Sequence, residues 1–381
     1  MIIGVPKESA QGERRVSLVP DAVSKFPQSQ VIIETGAGEG AGFPDSMYLA
    51  KDAKVVSDHV ALYSRSDIVL KVQPPTKDEV ESFKEGSVLI SFLYPLSNLE
   101  IVQNLVSRKV TSFAMDLMPR ISRAQSMDAL SSQATVSGYK AVLLAADSLP
   151  KLFPMLMTAA GTISPARVFV IGAGVAGLQA IAVAHRLGAV VEAYDVRPVV
   201  KEQIESLGAK FVQLPVIAQD AQTSGGYAKA QSEDFYRKQQ DLLAEHAKSA
   251  DVVVTTALVP GQKAPVLVSE DAVKGMRPSS VIVDLAAEQG GNCALTEPGK
   301  TVIKYGVTIH GLLNLPSMMA PQASQLYSRN VVTFLLEILK DGKLDVNPED
   351  ELIRGPLVTK DGLVMHEQTK KALESSATVT S

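Results

Sequence analysis

Three glycines, Gly172, Gly174 and Gly177, stand in a G-x-G-x-x-G array directly after the apolar run Val168-Phe169-Val170-Ile171. Each answers a different physical demand. Gly172 permits a tight turn out of a strand, Gly174 leaves the backbone bare for a pyrophosphate, and Gly177 lets the next helix pack close to the strand. That helix, read over Leu178 to Leu187, would turn its N-terminal N–H groups toward the phosphates. Val190 to Tyr194 reads as the following strand. Asp195 ends it, 21 residues beyond Gly174, where a carboxylate accepts hydrogen bonds from an adenosine ribose. The acid favours NAD over NADP. Arg197 counters this in part, because an arginine can accommodate a 2′-phosphate. A glycine turn alone is a weak signal; strand, turn, helix, strand and terminal acid in register make a dinucleotide site the expectation.

A second polar group runs from Met118 to Gln133 and lacks regular hydrophobic periodicity. It is expected to form an ordered loop leading into a helix over Ala134 to Leu149. Two readings stand for it. Arg120, Gln125, Asp128 and Ser131 could hold the carboxamide and ribose of a nicotinamide. Alternatively, Asp128 and Ser131 cap the helix start and Arg120 is their ion-pair partner. Lys71, at the end of the apolar run Ile68 to Leu70, is equally open between a ligand contact and a plain edge charge.

These residues need a scaffold, and the alternation of short apolar runs with amphipathic stretches supplies one. Val31 to Ile33, Ile68 to Val72, Val88 to Leu93 and Thr111 to Met115 read as strands of a first α/β layer system, opened by a strand at the N-terminus. Lys210 to Leu214, Asp251 to Ala257, Ser280 to Ala286 and a strand pair over Thr301 to His310 continue the dinucleotide-binding sheet. Residues 230–249 read as helical, as does Ser317 to Lys340, which would return the chain to the first domain. The expected fold class is α/β: two Rossmann-like doubly wound parallel-sheet domains with a cleft between them. The first domain is discontinuous, 1–130 and 318–381, and the second spans 131–317. Thr223 to Lys229 contains adjacent glycines before Tyr227 and is expected to be mobile, as a lid or as an inert excursion. Asp341 to Arg354 reads as a charged loop and Glu374 to Ser381 as a frayed tail.

Composition narrows the classes further. The chain has 381 residues, 46% of them hydrophobic, a net charge of -4 and a pI near 5.8, which gives no electrostatic footprint for nucleic acid. No 18-residue apolar run is free of charge or proline, so the chain is expected to be soluble by itself. Its N-terminus lacks the layout of a signal peptide. The single cysteine, Cys293, excludes an internal disulfide and fits a reducing cytoplasm. The five histidines show no metal-ligand spacing, and no metal is expected.

Several stretches together resemble domain I of the proton-translocating nicotinamide nucleotide transhydrogenases, the NAD(H)-binding component of their alpha subunit. They are Gly4 to Glu8, Met118 to Asp128, Ser224 to Lys229 and Glu288 to Cys293, so the resemblance covers nearly the whole chain. It implies that Arg120, Gln125, Asp128 and Ser131 surround the nicotinamide and its ribose. Val175, Ala176, Gly177, Asp195, Val196, Arg197, Gly226, Gln239 and Leu258 would line the rest of the NAD pocket, and Tyr227 would belong to a mobile lid. By the same resemblance, NADP(H) binds to a separate beta subunit and the membrane segments lie on that subunit and on the membrane part of the alpha subunit. This chain would be a split alpha subunit, a homodimer, held peripherally on the cytoplasmic face of the inner membrane.

Alanine dehydrogenase is the related alternative. Its substrate-binding arginine and lysine match Arg15 and Lys71. Its acid/base histidine falls in the segment Leu89 to Ser97, which here has Tyr94 and no histidine, and its aspartate is replaced by Glu288. Oxidising an amine to an imine needs a proton acceptor beside the hydride acceptor. Direct hydride transfer between two nicotinamides does not, so it demands only orientation and exclusion of water. A non-catalytic NAD sensor is the reading from a different class.

Overall fold

The computed structural model describes residues 1–214, 233–258, 263–340 and 342–379. The chain divides into two compact units, Met1–Gln133 with Pro316–Ser381, and Ala134–Leu315.

In the first unit the strands are β1 (Ile2–Val5), β2 (Gln30–Glu34), β3 (Lys54–Val56), β4 (Ile68–Leu70), β5 (Val88–Ser91) and β6 (Thr111–Ala114). Among the described residues they order as β3-β2-β1-β4-β5-β6, all parallel. Leu357–Lys360 and Leu363–Val364 extend the β6 edge antiparallel. The β4 run is short and wholly apolar because a parallel strand is covered on both faces. Ile3, Ile33, Ile68, Leu70, Ile90 and Phe113 point to one layer with Val331 and Phe334 of the Ala320–Ile338 helix. Ile32, Val69 and Leu89 point to the other with Leu62, Phe83 and Leu105. The order reverses between β1 and β4. The crevice beyond the C-terminal ends of those two strands is where such sheets place ligands.

The second unit repeats the plan. A two-stranded hairpin, β7 (Leu156–Thr158) and β8 (Gly161–Ile163), precedes β9 (Arg167–Ile171), β10 (Val190–Tyr194), β11 (Lys210–Val212), β12 (Val252–Thr255) and β13 (Val281–Asp284). Then come β14 (Thr301–Lys304) and β15 (Val307–His310), which pair antiparallel. The described order is β11-β10-β9-β12-β13-β15-β14, parallel from β11 to β15. Val168, Val170, Val252, Val254, Val281 and Val283 face Ala180, Ile181 and Ala184 of the Val175–Arg186 helix. Phe169, Ile171, Val253 and Ile282 face Leu243 and Ala247 of the Glu233–Ser249 helix. The reversal of strand order falls between β9 and β12, at the glycine turn.

Three expectations need correction. The helix read over Ala134 to Leu149 starts at Ala129, because Asp128 supplies its cap. The C-terminal tail is helical over Glu367–Val379 instead of fraying from Glu374. The stretch read as a charged loop contains a strand, Lys343–Leu344, and a short helix, Glu351–Arg354, capped by Asp350. No helix among the described residues is long and apolar enough to cross a membrane.

Candidate functional site

In the second unit β9 ends at Ile171 and Gly172 turns the chain with φ 99°, a conformation that favours glycine. The Thr256 hydroxyl, just beyond β12, donates to the Gly172 carbonyl at 3.0 Å and fixes the turn. A Cβ on Gly177 would lie 1.9 Å from that same carbonyl, so the helix can sit this close only with glycine there. Gly174 differs: nothing lies within 4 Å of where its Cβ would be. An open approach at the N-terminus of a 12-residue helix fits a pyrophosphate, with Val175, Ala176 and Gly177 supplying first-turn N–H groups. Gly138 of the Ala129–Ser148 helix escapes sequence reading, since it lies mid-helix with no motif around it. Its Cβ would meet the Ala176 carbonyl at 2.1 Å, so it too sets how the glycine turn is packed.

Asp195 is brought to the turn, but its carboxylate is already engaged. Oδ2 accepts from the Ala173 N–H at 2.7 Å and from Arg197 Nη2 at 2.9 Å; Oδ1 accepts from the Arg197 N–H and Nε, each at 2.9 Å. The acid therefore ties β10 to the glycine loop. It also pairs with Arg197, whose guanidinium is held more firmly charged by that hydrogen bonding. Val196 is half-buried against the core beside Tyr194. Gln239 is buried and donates to the Tyr194 hydroxyl at 3.0 Å, and Leu258 is 38% exposed just past β12. Gly226 and Tyr227 lie outside the described residues.

In the first unit the polar loop forms a 3-10 helix over Ser122–Met127. Arg120 and Gln125 are exposed on it. Asp128 accepts from the Ser131 N–H at 2.9 Å and from the Ser131 hydroxyl at 2.6 Å, which realises the capping geometry. Arg123 also ties this loop down, paired with Asp350 at 2.9 Å and Glu337 at 3.3 Å.

At the first unit's own switch point the structure assembles charges that sequence reading finds only in part. Lys71 is not an edge charge: it is fully buried directly after the interior strand β4, 3.1 Å from Glu79 and 3.6 Å from Glu8. Burial works to discharge its ammonium, and the two carboxylates overcome this and raise its pKa. Arg15 is 3% exposed and bidentate on Glu13, with Nε to Oε1 at 2.8 Å and Nη2 to Oε2 at 2.6 Å. Of the residues that sequence reading misses, Glu79 leaves a signal, since Thr76 and Glu79 form a capping box readable as T-x-x-E. Tyr94 has φ 44°, its N–H donating to Asp116 at 3.0 Å and its ring stacked on Phe92. In the second unit, Glu288 accepts from the Asn314 N–H at 2.7 Å. Among the described residues no group of three His, Cys, Asp or Glu could hold a metal ion.

Comparison with known proteins places this architecture. Residues 4–137 match the family model described as alanine dehydrogenase/PNT, N-terminal domain, and residues 141–367 match the corresponding C-terminal domain. The chain is 50% identical over 376 residues to the first piece of the NAD(P) transhydrogenase subunit alpha of Rhodospirillum rubrum, covering 96% of this chain and 98% of the relative. Alanine dehydrogenase of Methanococcus maripaludis is 30% identical, with 98% and 96% covered. A solved transhydrogenase from Sinorhizobium meliloti superposes with a TM-score of 0.84 at 42% identity, over 97% of this chain and 100% of that one.

Proposed function

The chain belongs to the alanine dehydrogenase/PNT family, and from that premise we propose that it is the NAD(H)-binding component of a proton-translocating transhydrogenase. The observation that carries this reading over alanine dehydrogenase is what stands at the two positions where a proton acceptor would be poised. The segment Leu89 to Ser97, in which the dehydrogenase's histidine would fall, contains no histidine, and Glu288, in place of its aspartate, accepts from the Asn314 N–H.

Bound NADH would supply a hydride from C4 of its nicotinamide, for delivery to NADP+ held on a separate subunit. This chain's task is then to bind, orient and exclude water. Gly172, Gly174, Val175, Ala176 and Gly177 receive the pyrophosphate on backbone N–H groups. Asp195, Val196, Arg197, Gly226, Gln239 and Leu258 line the adenosine side, and the pairing of Arg197 with Asp195 favours NAD(H) over NADP(H). Arg120, Gln125, Asp128 and Ser131 orient the nicotinamide and its ribose. Neither ring exchanges a proton in the transfer, so orientation carries the rate enhancement.

The NADP-binding and membrane domains of a beta subunit, with the membrane part of the alpha subunit, would couple transfer to proton movement and hold this chain at the cytoplasmic face. Homodimerisation is part of the proposal, supported by the apolar β7–β8 hairpin, where Met155, Leu156, Met157 and Ile163 are 59%, 43%, 72% and 45% exposed. Alanine dehydrogenase remains the second reading because Arg15 and Lys71 are both present at the first unit's switch point.

The test combines three measurements on the purified chain: NADH and NADPH binding by fluorescence, NADH oxidation with pyruvate and ammonium, and hydride transfer with the NADP-loaded beta subunit. The expected result is selective NADH binding, no oxidation by pyruvate and ammonium, and transfer only with the partner. Rapid turnover with pyruvate and ammonium would overturn the proposal.

A further inference from the structure

Arg15 donates beyond Glu13 as well as to it. Its Nη1 donates to Gln133 Oε1 at 2.9 Å. Gln133 Nε2 in turn donates to the Ala323 carbonyl at 3.1 Å and to the Ser132 hydroxyl at 3.2 Å. The Ser132 hydroxyl reaches Asn330 Oδ1 at 2.7 Å, closer than its other acceptor, the Ala129 carbonyl at 3.0 Å, and Asn330 Nδ2 donates to the Ser126 carbonyl at 2.8 Å. Ser126 lies in the 3-10 turn that carries Gln125, two residues before Asp128. Every link therefore donates in the same sense, from a buried guanidinium to the backbone of the polar loop.

That directionality has a cause. A guanidinium has only donors, so Gln133 must turn its oxygen to Arg15, which aims its NH2 at Ser132 and Ala323. Ser132 is then set to accept from Gln133 and donate to Asn330, and Asn330 is left with its own NH2 for Ser126. A chain of this kind polarises along its length, and a flip at any amide breaks the links on both sides. Glu13 holds the origin in place: its carboxylate fixes the guanidinium in plane through Nε and Nη2. The Arg15 segment is itself laid along the Ala320–Ile338 helix, with the Val16 N–H donating to Ser324 Oγ at 3.0 Å and the Val19 N–H to Ser328 Oγ at 3.1 Å.

We propose that Arg15, acting through Gln133, Ser132 and Asn330, is a positioning residue for the loop that carries Arg120, Gln125 and Asp128, and that it is not a ligand for a substrate carboxylate. The proposal rests on the reading that this loop orients the nicotinamide. Arg15 never touches the cofactor; it sets the height and tilt of the loop that does. A misplacement of about 1 Å at such a loop is enough to cost roughly 100-fold in rate.

Two conservative variants of the full chain test it. Gln133→Glu keeps an acceptor for Arg15 and removes the donor to Ser132 and Ala323, so a purely structural tie survives while the relay is cut. Arg15→Lys keeps a charge beside Glu13 and loses the Nη1 donor that reaches Gln133. The expected result, at saturating NADH with the NADP-loaded beta subunit, is a fall of about 10- to 100-fold in hydride transfer for each. NADH affinity should change little; each variant should keep its native circular dichroism at a lowered thermal midpoint, since both disturb buried pairings, and the double variant should be no slower than the slower single one. The emission of bound NADH, read without any partner, should shift in both variants. Unchanged transfer in either variant overturns the proposal, and so does an unshifted emission. Loss of pyruvate-dependent NADH oxidation on Arg15→Lys, with Gln133→Glu unaffected, overturns it as well by making Arg15 a substrate ligand. If the native chain binds NADH but passes no hydride to NADP+, the transhydrogenase reading falls, and the emission shift alone then decides for or against the relay.

Discussion

Glu13 shows how much a single pairing controls at the residue scale. Burial pushes its carboxyl up, but the hydrogen bonds and charge of Arg15, with Gln73, reverse this and hold it at about 2 against an ordinary 4.5. The folded pKa lies below the unfolded one. The stabilisation is thus complete above the unfolded value of 4.5 and is lost as pH falls toward about 2. The shift corresponds to about 3 kcal/mol at neutral pH, and the Glu13 side chain is fully covered, so solvent screening removes little of it. Glu13→Gln removes the titrating group. Urea unfolding of native and variant chains across that window should show the stability gap narrowing as pH falls, whereas a gap independent of pH would refute the assignment. Asp195 follows the same logic with a different outcome. Its carboxylate is committed to Arg197 and the Ala173 N–H, so it shapes the dinucleotide turn even before any ribose is bound.

At the scale of the element, the β9 turn and the Val175–Arg186 helix contain two glycines with opposite reasons for being glycine. A methyl at Gly177 would collide with the Gly172 carbonyl at 1.9 Å, forcing helix and strand apart. Gly177→Ala should therefore destabilise the fold by about 1 to 3 kcal/mol, seen as a lowered thermal midpoint. Gly174 has φ -78°, which any residue adopts, and open space around its Cβ. Gly174→Ala should leave the midpoint unchanged and weaken NADH binding by about tenfold or more, roughly 1.4 kcal/mol, by filling the approach of the pyrophosphate. Equal effects of the two substitutions on stability would show that the turn is not a cofactor cradle.

For the whole molecule, the apolar surface that stands out among the described residues is the β7–β8 hairpin, exposed at every residue of both strands. A two-stranded ribbon is marginal by itself in water, and this one carries Leu156, Met157 and Ile163 into solvent. Seating it on a second copy would bury that surface. Met157→Asp should then shift the chain from dimer to monomer in sedimentation velocity while its circular dichroism stays the same. A dimer that ignores the substitution would remove the hairpin from the interface.

Much of this is legible from the chain itself, and the reason is local chemistry. The runs at 168–171, 252–254 and 281–283 are apolar and rich in β-branched residues because parallel strands are covered on both faces, and the glycine spacing follows from steric demands of one turn. The polar loop from Arg120 is visible as a dense set of hydrogen-bonding side chains. Its helix start is misplaced by a few residues because Asp128 suits a ligand contact and a cap equally well. The strands at Lys54–Val56, Leu357–Lys360 and Leu363–Val364 are not readable, being short edge pieces without a pattern of their own. What the tertiary structure alone decided is the state of the charges. Lys71 at the end of an apolar run looks like an edge residue until the sheet order buries β4 between β1 and β5 and brings Glu8 and Glu79 onto it. Arg15 becomes the origin of a hydrogen-bond chain only when Gln133 and the Ala320–Ile338 helix, distant in sequence, come to lie beside it. Backbone conformation is set within a few residues, whereas the partner of a buried charge is chosen by the fold, because in a low-dielectric interior no charge stays without one.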